Sequence, residues 1–210
     1  MILKGFKEKS NKKYLNKLLS ERQVNVEGNK LISLGIIFNS DEIHDFESFR
    51  KLSEFLKVRP NKLKIIAFSE SNKNDLNAWD ECYNLKDFGW RGKINNIELE
   101  EFINSKFDVL ISYYKKNRYE LNVVTAMSKA NFKVGIADHD ERLNDFIIKI
   151  KPNQIEIFKS ELLKYFKVLN MSSKLSSTGS TKQALSCPFS HPAFISVGEF
   201  GKKYSPLSIL

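Results

Sequence analysis

The densest group of residues able to ligate a metal or pass a proton is the run Asp138-His139-Asp140-Glu141. Carboxylates beside an imidazole offer oxygen ligands for a hard cation, or a histidine base paired with an acid. No second His–carboxylate motif accompanies the run, and turns between strands are commonly acidic. A solvated turn is therefore expected, with no metal. Cys187 and His191, four residues apart, supply half of a zinc ligand set inside a Ser-rich stretch, too little for a site. Asp87-Phe88-Gly89 matches the metal-binding triplet of kinases, but the glycine loop and catalytic loop that give the triplet meaning are missing.

A different chemistry is offered by cations. The segment MILKGFKEKSNKKYLNKLLSER holds Lys4, Lys7, Lys9, Lys12, Lys13, Lys17 and Arg22 against only Glu8 and Glu21. A lysine-rich helix gains affinity for a polyanion by releasing its counterions, so its binding must weaken as salt rises. Further along, Gly89-x-x-Gly92 carries Arg91 and Lys93. That spacing is like the backbone clamp of K-homology RNA-binding domains, although the flanking elements do not match that fold. A turn anchored by Trp79, Tyr83, Phe88 and Trp90 is the expected structure. An aromatic loop flanked by cations still makes a secondary RNA contact.

The elements that must position these residues fall into three parts: 1–29, a basic helix and linker; 30–170, an α/β domain; and 171–210, a tail. In the helix, Tyr14, Leu15, Leu18 and Leu19 form a docking cluster at helical spacing, while Leu3 and Phe6 lie off that stripe. In the domain, KLISLGIIF, KLKIIAF, DVLISYY, FKVGIA and DFIIKI read as strands. Helical signals alternate with them. Ile43, Phe46, Phe49, Leu52 and Leu56 recur at three- and four-residue steps after a cap at Asn39, Ser40 or Asp41. IELEEFINSKF, RYELNVVTAMSKAN and NQIEIFKSELLKYFKVL give three more helices.

Continuous apolar strands between helices indicate a largely parallel sheet covered on both faces. The expected fold is a single Rossmann-like or flavodoxin-like three-layer domain with about five mostly parallel strands. The last two are joined only by DHDERLN, too short for a helical crossover, so that edge is expected to depart from simple parallel winding. From Met171 onward, ten of forty residues are Ser and no periodicity persists, which reads as a flexible or weakly ordered tail.

In such a sheet, ligands sit beyond the carboxyl ends of the strands. Those ends offer Asp41, Ser69, Tyr113, Asp138 and His139 as pocket candidates. The first strand-to-helix turn, FNSDEIHDF, has no glycine and no phosphate-binding lysine, and Asp41 and Glu42 would repel a phosphate. No nucleotide and no other cofactor is expected.

Charge is uneven. The chain carries 34 Lys and Arg against 25 Asp and Glu, a net +9. Residues through Gln23 contribute +5 and those from Met171 contribute +3, so the body between carries only +1. The longest apolar runs are strand-sized, short of the roughly 20 residues of a membrane span. The basic N-terminus lacks an apolar signal region, and two distant cysteines suggest no disulfide framework. A cytoplasmic location is expected.

The order of SLGIIFNS, KDFGW, FDVLISYY and MSKANFKVGIAD behind a basic helix resembles an uncharacterised family of short basic proteins from Bacteroidota, known only as a domain of unknown function. The likeness covers about residues 1–170 and is most specific at SKANFKVG. It implies a cytoplasmic α/β protein and brings no catalytic residues. The leading functional expectation is a non-enzymatic module that binds RNA or a ribosomal particle through the lysine-rich helix. The alternatives are an enzyme with a pocket at the strand ends, and a protein on an anionic membrane surface held by Leu3, Phe6 and the lysines.

Overall fold

The computed structural model describes residues 2–22, 30–43, 45–70, 81–136, 139–169, 171 and 193–196. Its elements run α1 (Ile2–Glu21), β1 (Leu34–Asn39), α2 (Glu47–Phe55), β2 (Leu63–Phe68), β3 (Glu81–Tyr83), α3 (Ile97–Asn104), β4 (Val109–Tyr113), α4 (Tyr119–Met127), β5 (Phe132–Gly135), β6 (Phe146–Lys149), α5 (Ile155–Val168) and β7 (Ala193–Ser196). The strands lie in the order β3-β2-β1-β4-β5-β6-β7, and every pairing is parallel. Setting aside the edges β3 and β7, the order β2-β1-β4-β5-β6 is the flavodoxin-like one, with its topological switch between β1 and β4.

The sequence explains the layers. β1 and β4 are buried at every position, as strands covered on both faces must be. Alternation sends Ile36 and Phe38 of β1 to one face, where they meet Phe49 and Leu52 of α2 and Phe158, Leu162 and Phe166 of α5. Ile37 points to the other face and joins Leu99 and Phe102 of α3 and Leu121 and Val124 of α4. Gly35 lies under the Phe107 ring, where a Cβ would come within 2.7 Å.

α1 adds to that second face. It packs on α4 and on a 3-10 turn, Trp90–Gly92. Leu19 is buried there, and Tyr14, Leu15 and Leu18 pack against the same core, as the sequence predicts; Phe6 is 62% exposed. The fit depends on a glycine: Gly92 has φ +73°, and a Cβ on it would lie 2.2 Å from the Tyr14 ring. Both facts exclude an ordinary side chain at this position.

Several expectations need correction. β3 and β7 add a strand at each edge of the five expected. β5 and β6 pair in parallel, and among the described residues of the connection, 136 and 139–145, there is no helix. α2 starts at Glu47, so Asn39, Ser40 and Asp41 do not cap it. Asp45, just before the helix, accepts from the Ser48 N–H of the first turn at 3.2 Å, while Asn39 bonds within its own loop and Ser40 and Asp41 bond to the end of β2 and the loop after it. α4 stops at Met127, before Ser128 and Ala130. The expected tail falls almost wholly outside the described residues, but Ala193–Ser196 pairs along β6.

Candidate functional site

At the switch point the chain occupies its own crevice. The Glu42 carboxylate accepts from the backbone N–H groups of Lys115 and Lys116, both at 2.6 Å. Asn39 donates to Glu42 at 3.3 Å and accepts from the Asp41 N–H at 3.0 Å. Asp41 in turn accepts from the Glu70 N–H at 3.2 Å, and the Glu70 carboxylate pairs with Arg118. The loops after β1, β2 and β4 are thus stitched together by carboxylates on N–H groups, in the place where a flavodoxin-like fold offers those groups to a ligand.

An open cavity lies one loop away. About 550 Å³ is enclosed between α1, the start of α4 and the loops after β4 and β5, a size within the roughly 300–1,000 Å³ of small-molecule sites. Leu15, Leu19 and Leu143 give it apolar wall, and Asn122 and Tyr119 are also among its lining residues. Asn122 is 6% exposed; its amide nitrogen donates to Asn117 at 2.7 Å, while its Oδ1 has no partner among the described residues. The Tyr119 hydroxyl is likewise buried without a partner there. Burial first, then the nearby Tyr14 and Glu120, push that hydroxyl up to about 12, so it carries its proton at neutral pH.

α1 is held over the cavity by a buried latch. Arg22 pairs with Asp145, and the two side chains are 11% and 7% exposed. Asp145 also accepts from the Lys133 N–H at 2.7 Å. Burial pushes the Asp145 carboxyl up, and the Arg22 guanidinium pulls against that. Lys133 itself is fully buried and donates to the carbonyls of Thr125 and Ala126 at 2.6 and 3.1 Å, closing the last turn of α4. Burial, then the charge of Arg22, push its amine down to about 7.

The predicted site residues are distributed unevenly over this frame. Lys9, Lys12, Lys13 and Lys17 are exposed along α1, and Lys93 is exposed just past the turn that supports it. Arg22 differs from them: it is turned inward onto Asp145 and is not part of an open cationic surface. The side chains of Lys4, Lys7 and Arg91 lie outside what is described. Trp90, expected as an anchor, is 51% exposed, whereas Tyr83 and Phe88 are buried with ring centroids 5.8 Å apart. Trp79 is outside the described residues.

The pocket candidates do not converge. Asp41 belongs to the switch point, Ser69 is buried beneath it, and Tyr113 donates to the Pro152 carbonyl at 3.0 Å in the core facing α2 and α5. Only His139 lines the cavity, and Asp138 lies outside the described residues. Asp140 is drawn to Arg142, whose hydrogen bonds hold its carboxyl below the usual range. No cluster of three metal-ligating side chains occurs among the described residues. Asp87 of the Asp-Phe-Gly triplet accepts from the Asn84 N–H in a small capping box. Asn122 and Tyr119 went unnoticed in the sequence because they sit within a helical segment that otherwise reads as core.

Fold and site together define a flavodoxin-like parallel α/β protein with its switch point filled by its own carboxylate and a cavity roofed by an added N-terminal helix. Residues 7–169 match the model of the Family of unknown function (DUF6913), and the chain belongs to that family. The match takes in most of α1, so the helix and the sheet belong to one family unit. A search of curated proteins finds no significant match. No helix among the described residues is long and apolar enough to cross a membrane.

Proposed function

We propose that this protein binds RNA, free or within a ribosomal particle, without chemical turnover. The observation that supports the reading is a docked helix with Lys9, Lys12, Lys13 and Lys17 exposed, packed on a turn that leaves Trp90 half in solvent and Lys93 beside it. Cations that track a backbone and an exposed ring on which a base stacks are the two parts of a single-strand interface. Docking fixes the row, so the lysines meet phosphates without the cost of ordering a free arm. A cytoplasmic location goes with this reading.

The test is fluorescence anisotropy of a labelled single-stranded RNA at several salt concentrations. Each phosphate contact contributes about −0.7 to the slope of log K against log salt, so four lysines give about −3. Replacing Lys9, Lys12, Lys13 and Lys17 by Gln flattens that slope and leaves thermal unfolding unchanged, since none of the four is buried. An unaltered slope in the quadruple variant overturns the proposal. So does binding to phosphatidylserine vesicles with none to RNA.

A further inference from the structure

We propose that the outer edge of β6 is a docking site for an extended apolar peptide segment, added as one more parallel strand, and that Ala193–Ser196 is this chain's own occupant of it. On the inner side of β6, Phe146 and Ile147 pair with Val134 and Gly135 of β5. On the outer side Phe146, Ile147, Ile148 and Lys149 all pair, opposite Ala193, Phe194, Ile195 and Ser196. Among the described residues, Ile148 and Lys149 thus find a strand partner on the outer side alone. β6 is also poorly suited to an open edge. Phe146, Ile147 and Ile148 are fully buried, and Lys149 is its one charged residue. Natural edges are blunted by charge, proline or a bulge, and a flat apolar one is a template for another strand.

The family match ends at residue 169, so it takes in β6 and leaves out the strand that completes it. The edge belongs to the family unit, and what covers it is an addition. An added strand is held chiefly by main-chain hydrogen bonds, so a segment of a partner protein can take the same place. The register sets its chemistry. It needs four residues without proline, which would remove a ladder N–H, and apolar residue types opposite Phe146, Ile147 and Ile148, where this chain has Ala193, Phe194 and Ile195. β7 is four residues long and ends the sheet, so it pairs on one side only. Its advantage is covalent: joined to Met171 through residues 172–192, it competes at an effective concentration of about a millimolar. An outside segment prevails once that strand is released.

The probe is a fluorescein-labelled peptide with the sequence of residues 190–199, titrated by anisotropy into the full-length protein. Phe194→Asp with Ile195→Asp spoils the chain's own strand and leaves β6 intact. That variant is expected to bind the peptide at least ten-fold more tightly than the wild type does. The peptide with Phe194→Asp and Ile195→Asp should not bind. Equal affinity of wild type and variant overturns the proposal. A second measurement does not depend on that variant's folding. On a Cys187→Ser background, the full-length chain with Lys149→Cys and Ser196→Cys is expected to form a disulfide within one copy, because those positions lie opposite each other. With the strand locked by that bond, the peptide should bind at least ten-fold more weakly than after reduction. Binding that ignores the lock places the peptide elsewhere and overturns the site. A disulfide between two copies makes a second copy the occupant and overturns the self-occupied edge; no disulfide at all overturns the register and the site with it.

Discussion

The switch point and the cavity beside it lie at the same ends of the same sheet, yet the chain treats them in opposite ways. At the switch point, two backbone N–H groups after β4 are satisfied by Glu42, and Asp41 and Glu70 extend the closure to the loop after β2. Under α1, an amide oxygen and a phenol are enclosed without partners among the described residues. The customary ligand position of the fold is thus filled from within, while one loop along an open cavity is roofed by the helix that precedes β1. For this fold, strand order says where a site could be; the loop carboxylates say whether it is open.

The comparison breaks most completely if the roof is released. Arg22 and Asp145 form a buried pair at the end of α1, and removing one partner leaves the other charge stranded. Asp145→Asn is expected to lose about 3–5 kcal/mol of stability, measured by urea unfolding. Limited proteolysis should then cut within α1 in the variant and not in the wild type. A variant as stable as the wild type, with α1 still protected, would mean that the apolar cluster around Leu19 holds the helix alone and the latch is incidental.

A smaller effect sharpens the other side. Glu42→Ala deletes the acceptor of two short hydrogen bonds whose surroundings are only half-buried, so water replaces part of what is lost. A cost of about 2 kcal/mol is expected. The opened N–H pair is now free for an anion. Inorganic phosphate should raise the melting temperature of Glu42→Ala and leave that of the wild type unchanged. If phosphate stabilises both equally, it acts elsewhere, on the lysines of α1 for example, and Glu42 is not standing in a ligand's place.

How far the sequence anticipates this pair of sites follows from the physics of each segment. The central strands are legible because LGIIF and VLISY are buried on both faces and must be continuously apolar. The docking stripe of α1 is legible because Tyr14, Leu15, Leu18 and Leu19 repeat at helical spacing. β3 is hidden because Glu81, Cys82 and Tyr83 are too few to show a period. The start of α2 is misplaced because Asn39, Ser40 and Asp41 look like caps, yet Ser40 donates to the Phe68 carbonyl and Asp41 accepts from Glu70, drawn off by a strand paired far away in sequence. Arg22 counts among the lysines in any tally of charge, and only its tertiary partner shows that it faces inward. The cavity is the least legible of all, since Leu15, Asn122 and Leu143 come from three separated segments and none is unusual where it stands.

The finest distinction between the two regions is electrostatic, and pH reads it. The latch beneath the cavity gathers the Arg22 guanidinium and the Lys133 amine around one acid, Asp145. A neutral Lys133 amine still has two N–H bonds for the two carbonyls it meets, Thr125 and Ala126. With its folded pKa near 7 against 10.5 for the free side chain, the unfolded chain binds a proton between those values that the native chain does not. Stability from this group therefore rises with pH across that window, by at most about 1.4 kcal/mol per unit, and is flat below it. Urea unfolding at pH 7, 8 and 9 should show the rise, ahead of the titration of Tyr119 at about 12. Lys133→Met removes the titrating amine, so its stability should be level over the same range. A wild-type profile as flat as the variant's would mean that Lys133 is charged when folded, held by Asp145 and the α4 carbonyls against its burial.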